Sequence, residues 1–374
     1  MKFQLVATCL FGLEHLLGEE IDSLGYERVS TIDGRVTFRG DSEAVAVSNI
    51  FLKYAERVFI KVGSFHAETF DELFEGTRAL DWARFIGKDD AFPVKGHSIK
   101  SALFSIPDCQ AIVKKAIVRS LSVPYGITKF AESGVKYQVE FFILNNEATL
   151  MIDTSGMPLH KRGYRKESNS APIRETLAAA IAATSRPREG VLLWDPMCGS
   201  GTIAIEAARM MRGIAPGARR NFAAEDFSFI DKKIWKNTRE EAEDNVKDTK
   251  FRLYASDIDL ACVSLTERNA RAAGVADMIK VFRKDARKIE KQDIRGTIVT
   301  NPPYGERMGT MAETEALYRD IGVTFKSLFP WQIYVITSHP SFERLFGKKA
   351  DKVRKLYNGM IPCYLYQYFK NKKV

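Results

Sequence analysis

Residues 301–304 read Asn-Pro-Pro-Tyr and end a short apolar run at 296–300. Two consecutive prolines cannot continue a strand or a helix, because each lacks an N–H and fixes φ. The stop gathers an amide with an acceptor oxygen (Asn301), a carbonyl held still by proline rings (Pro302, Pro303) and a flat aromatic face (Tyr304). Such a set can hold a planar polar group by its edge and its face. A polar turn is the other reading, since Asn-Pro commonly opens one.

A second set lies upstream. Residues 192–210, LLWDPMCGSGTIAIEAARM, read as strand, glycine turn and helix. A Gly-x-Gly turn at a helix N-terminus lets the backbone approach a ligand closely. Gly199, Gly201 and Ala204 fit the dinucleotide fingerprint, which wants an acid ~20 residues later. Here the next strand-terminal acid, Asp257 in YASDID, lies beyond a long insertion (208–250), and Asp195-Pro196 precede the glycines. A dehydrogenase is therefore only a minor alternative. Asp195, Asp257, Asp285 (in FRKDARK) and Asn301 each end one of four successive strands. In a doubly wound sheet such ends open on one crevice, where carboxylates accept hydrogen bonds from ribose hydroxyls and an adenine amino group. A single acid has a simpler explanation, as Asp259 shows by standing where a helix N-cap belongs. The ordered set points to a nucleoside cofactor. Cys198 lies inside the glycine turn without an evident basic partner, so it reads as a small filler and not as a nucleophile.

The 374 residues, 45% of them hydrophobic, suffice for two or three cored domains. No apolar run approaches the ~18 residues that span a bilayer. The N-terminal stretch carries acids and lacks a small-residue cleavage site, so it does not read as a signal peptide. Five scattered cysteines, none in CxxC, read as reduced thiols of a cytosolic protein, and five histidines without ligand spacing argue against a metal site. The net charge of +9 is unevenly placed. Residues 1–91 are acidic, whereas 92–136 and 169–374 are basic, which favours a polyanionic partner on the latter two. The candidate nucleic-acid contacts are Lys95, Lys100, Lys114, Lys115 and Arg119, with Lys161, Arg162 and Arg165 in the stretch LHKRGYRKESNSAP (159–172). A solvated linker explains that stretch equally well.

The elements that must position these residues follow from periodicity. Residues 1–64 alternate strand and helix signals around a hairpin turned at Asp33-Gly34, in ferredoxin-like order. Residues 65–158 read as a second α+β unit, with helices in TFDELFEGTRAL and PDCQAIVKKAIVRSL and two strands around Asn145-Asn146. After the linker at 159–172, residues 173–374 alternate strand and helix, with continuous apolar strands that suit a buried parallel sheet. The segment 347–359 reads either as an RNA-facing loop and helix or as a wetted edge. The overall class is α/β, a doubly wound Rossmann-like sheet preceded by two α+β units. Residues 1–165 are expected to fold apart from the catalytic half.

The ordered set DPMCGSG, SDID, KDA and NPPYGER resembles class I S-adenosylmethionine-dependent methyltransferases acting on exocyclic amines. With LHKRGYR and the N-terminal layout, the chain resembles THUMP-domain RNA methyltransferases, above all the bacterial 23S rRNA guanine-N2 group, whose members are often labelled N6-adenine DNA methylases. The resemblance implies S-adenosyl-L-methionine as cofactor and RNA as partner, with ribosomal RNA ahead of tRNA. It implies that Asp195, Pro196, Cys198, Gly199, Gly201 and Thr202 form the loop beneath the methionine moiety. It assigns Asp257 and Ile258 to the ribose side, and Asp285 with Ala286 to the adenine. Asn301 also borders the cofactor, and Asn301, Pro302, Pro303 and Tyr304 become a clamp for the target base. The clamp suits guanine N2 and adenine N6 alike. An N6-adenine DNA methyltransferase and a non-catalytic RNA-binding assembly factor are the competing readings.

Overall fold

The computed structural model describes residues 2–165, 173–303 and 310–369. Tyr304 therefore lies outside the described residues, as do Lys166 to Pro172.

The N-terminal half opens with β1 (Lys2–Cys9), α1 (Glu14–Ser23), β2 (Arg28–Ile32), β3 (Arg35–Asp41), α2 (Ser42–Phe51) and β4 (Ala55–His66). Gly34, at φ +76°, makes the hairpin between β2 and β3. There follow α3 (Phe70–Arg78), β5 (Val94–Ile99), α4 (Ile106–Tyr125), β6 (Val139–Leu144) and β7 (Glu147–Asp153). Thr69 and Glu72 cap α3 reciprocally, and Asn145 and Asn146 take the positive φ values that their two-residue turn requires. The two α+β units share one seven-stranded sheet, ordered β2-β3-β1-β4-β7-β6-β5, because the long β4 pairs with β1 on one side and β7 on the other. β5 is absent from the sequence expectation, since VKGHSI shows neither alternation nor β-branched enrichment.

The second half comprises α5 (Glu175–Thr184), β8 (Val191–Asp195), α6 (Thr202–Arg212), α7 (Lys232–Asp244), β9 (Leu253–Asp257), α8 (Leu260–Ala272), β10 (Ile279–Arg283), β11 (Arg295–Thr300), α9 (Met311–Ser327), β12 (Gln332–Thr337), α10 (Phe342–Phe346), β13 (Lys352–Asn358) and β14 (Ile361–Tyr368). Its sheet runs β10-β9-β8-β11-β12-β14-β13, parallel from β10 to β12, with β14 antiparallel to both neighbours. The order reverses beside β8, so β8, β9, β10 and β11 send their C-terminal ends to one crevice. The segment 347–359 is not a helix: most of it is the edge strand β13, in which Lys352 and Lys355 are exposed and Arg354 is half-buried.

The two halves pack against each other. One apolar cluster runs from Phe3 of β1 to Leu365 of β14. The insertion after α6 is what joins them. Phe227 stacks on Tyr137 with ring centroids 4.3 Å apart, and Phe229 packs on Phe3 and Phe85. Gly217 N–H donates to Ile50 O at 2.8 Å, and Ala224 N–H to Thr154 O at 3.0 Å. Each aromatic pair contributes roughly 0.5–1.5 kcal/mol beyond its area. No described helix is long and apolar enough to cross a membrane.

Candidate active site

The loop between β8 and α6 is built around two left-handed glycines. Gly199 has φ +54° and Gly201 φ +77°. A Cβ on Gly201 would also come within 2.6 Å of Thr266 Cγ2, so only glycine fits there. Neighbouring elements hold the loop by its backbone. Cys198 N–H donates to Ser256 O at 3.0 Å, Thr266 Oγ1 donates to Gly199 O at 3.0 Å, and Asn269 Nδ2 donates to Ser200 O at 2.9 Å. No side chain caps α6 at its start, which leaves the first backbone N–H groups pointing out of the loop. Cys198 is buried beside Thr266, and burial pushes its thiol well above the usual range, as suits a filler and not a nucleophile.

Three acids stand where their strands end. Asp195 is buried; its Oδ1 accepts from Thr300 Oγ1 at 2.8 Å and from Met197 N–H at 3.3 Å. Burial raises its pKa to about 7 despite those two bonds, and nearby Asp257 adds to the rise. Asp257 sits one strand over, with Oδ2 accepting from Gly199 N–H at 3.0 Å and Oδ1 from Asp259 N–H at 3.1 Å. It thus ties the glycine loop to the end of β9. Asp259 caps α8 through Ala261 N–H, as read from the sequence. Asp285 caps the short turn that begins at Ala286, and Arg287 pairs with both its oxygens, which holds its carboxyl below the usual range. Ile258 is an apolar side chain left 46% exposed beside these acids.

The Asp195 environment has a measurable consequence. A folded-state pKa raised from 3.8 to about 7 means that the folded protein binds the extra proton. Stability from this group therefore falls as pH rises from about 4 to about 7. Asp195→Asn keeps an acceptor for Thr300 but cannot ionise. Its melting temperature relative to wild type should climb between about pH 4 and about pH 7 in calorimetric scans and level off above. A constant difference would show that Asp195 is ionised throughout.

At the end of β11, Asn301 is half-buried and Pro302 is buried. Among the described residues, no hydrogen bond engages the Asn301 amide. Pro303 O accepts from Tyr318 Oη at 2.8 Å, and Tyr318 Oη also meets Thr337 Oγ1 at 2.9 Å. This anchor from α9 and β12 fixes the backbone that the two prolines already stiffen.

Several residues of this site were not read from the sequence. Thr266 and Asn269 stand at i and i+3 on α8, a polar pair on one helix face that marks a contact to the loop. Thr300, Tyr318 and Thr337 carry no local signal.

The basic candidates divide. Lys95, Lys100, Lys115, Arg119 and Lys161 are exposed. Lys114 is not a surface contact: its ammonium donates to Phe92 O at 3.1 Å, pairs with Glu132 and lies over the Phe92 ring. Arg162 is also withdrawn from any ligand, being 5% exposed and bonded to Leu159 O and Lys53 O. Arg165 is engaged by Glu175, Thr202 and Ile173 O. The described part of the stretch after residue 158 is a packed joint and not a solvated linker, with Leu159 and Tyr164 buried. Lys95 lines a cavity of about 1150 Å³ between β4, β5 and the insertion, together with Arg57, His97, Lys136 and Lys232.

A strand order 3-2-1-4-5-7-6 within this half, with a glycine loop after its first strand and acids after the next two, defines the class I methyltransferase architecture. The glycine cradle, the open N-terminus of α6 and exposed Ile258 fit S-adenosylmethionine, the cofactor of that class. Residues 162–367 match the RMKL-like methyltransferase domain family, residues 4–59 the RlmL ferredoxin-like domain and residues 67–153 the THUMP domain. A protein of Bacillus subtilis (strain 168), described as "putative RNA methyltransferase YpsC", is 43% identical over 98% of this chain and 96% of its own. The crystal structure of a "possible methylase" from Clostridium difficile 630 superposes with a TM-score of 0.96 at 44% identity, covering 100% of both chains. That of SMU.472, a methyltransferase complexed with S-adenosylhomocysteine, gives 0.93 at 39% identity over 100% of this chain and 99% of that one. The chain belongs to the RMKL-like methyltransferase family, in its form with RlmL ferredoxin-like and THUMP domains, and S-adenosylmethionine is its cofactor.

Proposed function

We propose that this RNA methyltransferase of the RlmL type acts on the exocyclic N2 amine of a guanine, in 23S rRNA ahead of tRNA. The observation that carries the reading is the Asn301 amide, which makes no hydrogen bond among the described residues, beside the stiffened Pro302 backbone at the end of the strand next to Asp195. S-adenosylmethionine, when bound, supplies an electrophilic methyl group on a sulfonium. An aromatic amine is a poor nucleophile because its lone pair is delocalised into the ring. Its two protons become more acidic as the nitrogen gains charge, so two fixed acceptors favour the transfer. Asn301 Oδ1 and Pro302 O are those acceptors, and Tyr318 keeps them from drifting by its bond to Pro303 O. Neither needs to be a strong base, since the methylated cation gives its proton to water. Asp257 and Ile258 take the ribose side, Asp285 and Ala286 the adenine side. Tyr304 supplies a stacking face in this reading, an interaction worth roughly 1–3 kcal/mol.

RNA, and not DNA, is favoured by the THUMP domain, and the basic surface around β5 and α4 suits a phosphate backbone. A base drawn from paired RNA costs a few kcal/mol to extrude, so its flanks must be gripped. Lys95→Glu, Lys115→Glu and Arg119→Glu together should weaken RNA binding with S-adenosylhomocysteine affinity unchanged. The salt dependence of RNA binding should flatten as well, its logarithmic slope falling by ~0.7–0.9 for each phosphate no longer neutralised. Normal RNA affinity in this variant would remove the grip from that surface. The substrate itself is tested by transferring labelled methyl from S-adenosylmethionine to ribosomal RNA, tRNA and DNA. Label in N2-methylguanosine of ribosomal RNA supports the reading. Label in N6-methyladenine of DNA overturns it.

A further inference from the structure

The stretch after residue 158 reaches the cofactor loop in a way that its basic composition conceals. Arg165 is a largely buried side chain whose guanidinium holds two separate pieces of chain, residues 173–175 and the start of α6. Its Nη1 donates to Thr202 Oγ1 at 3.2 Å and to Ile173 O at 2.9 Å, and its Nη2 donates to Glu175 Oε2 at 3.0 Å. Thr202 is the first residue of α6, and its hydroxyl also meets Ser200 Oγ at 3.0 Å inside the glycine turn. One turn further along the same helix face, Tyr164 Oη donates to Glu206 Oε1 at 2.9 Å. The same few residues face the other way too. Arg162 donates to Lys53 O between α2 and β4, and His160 meets Glu56 at 2.8 Å. Residues 160–165 are therefore bonded at one end to the N-terminal half and at the other to the helix that starts under the cofactor.

We infer that Arg165 is a positioning residue for the cofactor loop, acting through Thr202 to fix the start of α6 against the joint between the two halves. An arginine suits this place because its planar fork presents several donors in fixed directions at once, which a lysine cannot do. The salt bridge to Glu175 alone would be a stabilising contact without bearing on the loop. What sets the proposal apart is the bond to Thr202, two residues from Ser200 and next to Gly201. The inference rests on the cofactor lying in this loop.

The test compares Arg165→Ala, Thr202→Val, the double variant, and the conservative Thr202→Ser. For each, calorimetry gives the affinity for S-adenosylhomocysteine, and hydrogen exchange gives the protection of backbone amides 198–205. Arg165→Ala should weaken binding about ten-fold, as losing a charge-assisted hydrogen bond does, and speed exchange in the loop. Thr202→Val should weaken it several-fold although the Glu175 pair stays intact, and Thr202→Ser should restore wild-type behaviour. The double variant should lose less affinity than the sum of the two single losses, because both changes remove the Arg165–Thr202 bond while Thr202→Val also removes the contact to Ser200 Oγ. Additive losses, or a Thr202→Val variant with unchanged affinity and loop exchange, would overturn the proposal and leave Arg165 a structural ion pair. Should Arg165→Ala not fold, the valine and serine variants decide alone. A wild-type protein that fails to bind S-adenosylhomocysteine would overturn the cofactor assignment and this inference with it.

Discussion

Asn301→Ala is expected to make methylated product at least a hundred-fold more slowly at saturating substrate while binding S-adenosylhomocysteine as the wild type does. In the proposed reading Asn301 stands on the substrate side of the crevice; it follows the end of β11, and among the described residues its amide serves no structural bond. Its removal therefore costs little before the transfer begins. During the transfer it takes away one of two acceptors from an amine whose positive charge is growing. Interactions made mainly in the transition state lower turnover and spare binding. Removing one preorganised hydrogen bond of this kind typically costs ~10²–10³ in rate. Single-turnover rates beside calorimetric affinities separate the two effects. Near-normal turnover would dismiss the clamp. A large loss of cofactor affinity would move Asn301 to the cofactor side.

Asp257→Ala should show the reverse pattern, with cofactor affinity falling ten-fold or more. Two losses combine in it. In the proposed reading the ribose hydroxyls lose a charged acceptor, where each such bond is worth roughly 1.5–3 kcal/mol. The glycine loop also loses the bond from Gly199 N–H that ties it to β9. Burial raises the Asp257 pKa, and the backbone N–H groups of Asp259 and Gly199 oppose that rise. Calorimetry of the folded variant with S-adenosylhomocysteine decides it. Unchanged affinity would take Asp257 out of the site and leave it as a loop brace.

Both positions stand out in the sequence because they follow predicted parallel strands, whose ends open on one crevice in a doubly wound sheet. The parallel strands β8 to β12 declared themselves by composition. β13 and β14 did not: KVRKLYN is so basic that its alternation passes for a solvated segment, and β14 has a proline at its second residue. Charge misled in the same way at Lys114, Arg162 and Arg165. A cation in a polar stretch looks wet, and nothing local reveals that its partners are Glu132, the carbonyl of Lys53 or the hydroxyl of Thr202. The sharing of one sheet by the two N-terminal units depends on β4 pairing along both its edges, and the joining of the two halves on the aromatic residues of the insertion. Both are tertiary facts. Thr300 escaped notice because a threonine in a strand is ordinary, while its bond to the buried Asp195 is not.

The central claim is methyl transfer to guanine N2 in RNA. Its most direct test is mass spectrometry of nucleosides from 23S rRNA of cells with and without this protein. The account predicts that N2-methylguanosine drops by one residue per ribosome in the deleted cells and returns with the wild-type chain but not with Asn301→Ala. An unchanged N2-methylguanosine content in both ribosomal RNA and tRNA, or loss of a different methylated nucleoside instead, would contradict it.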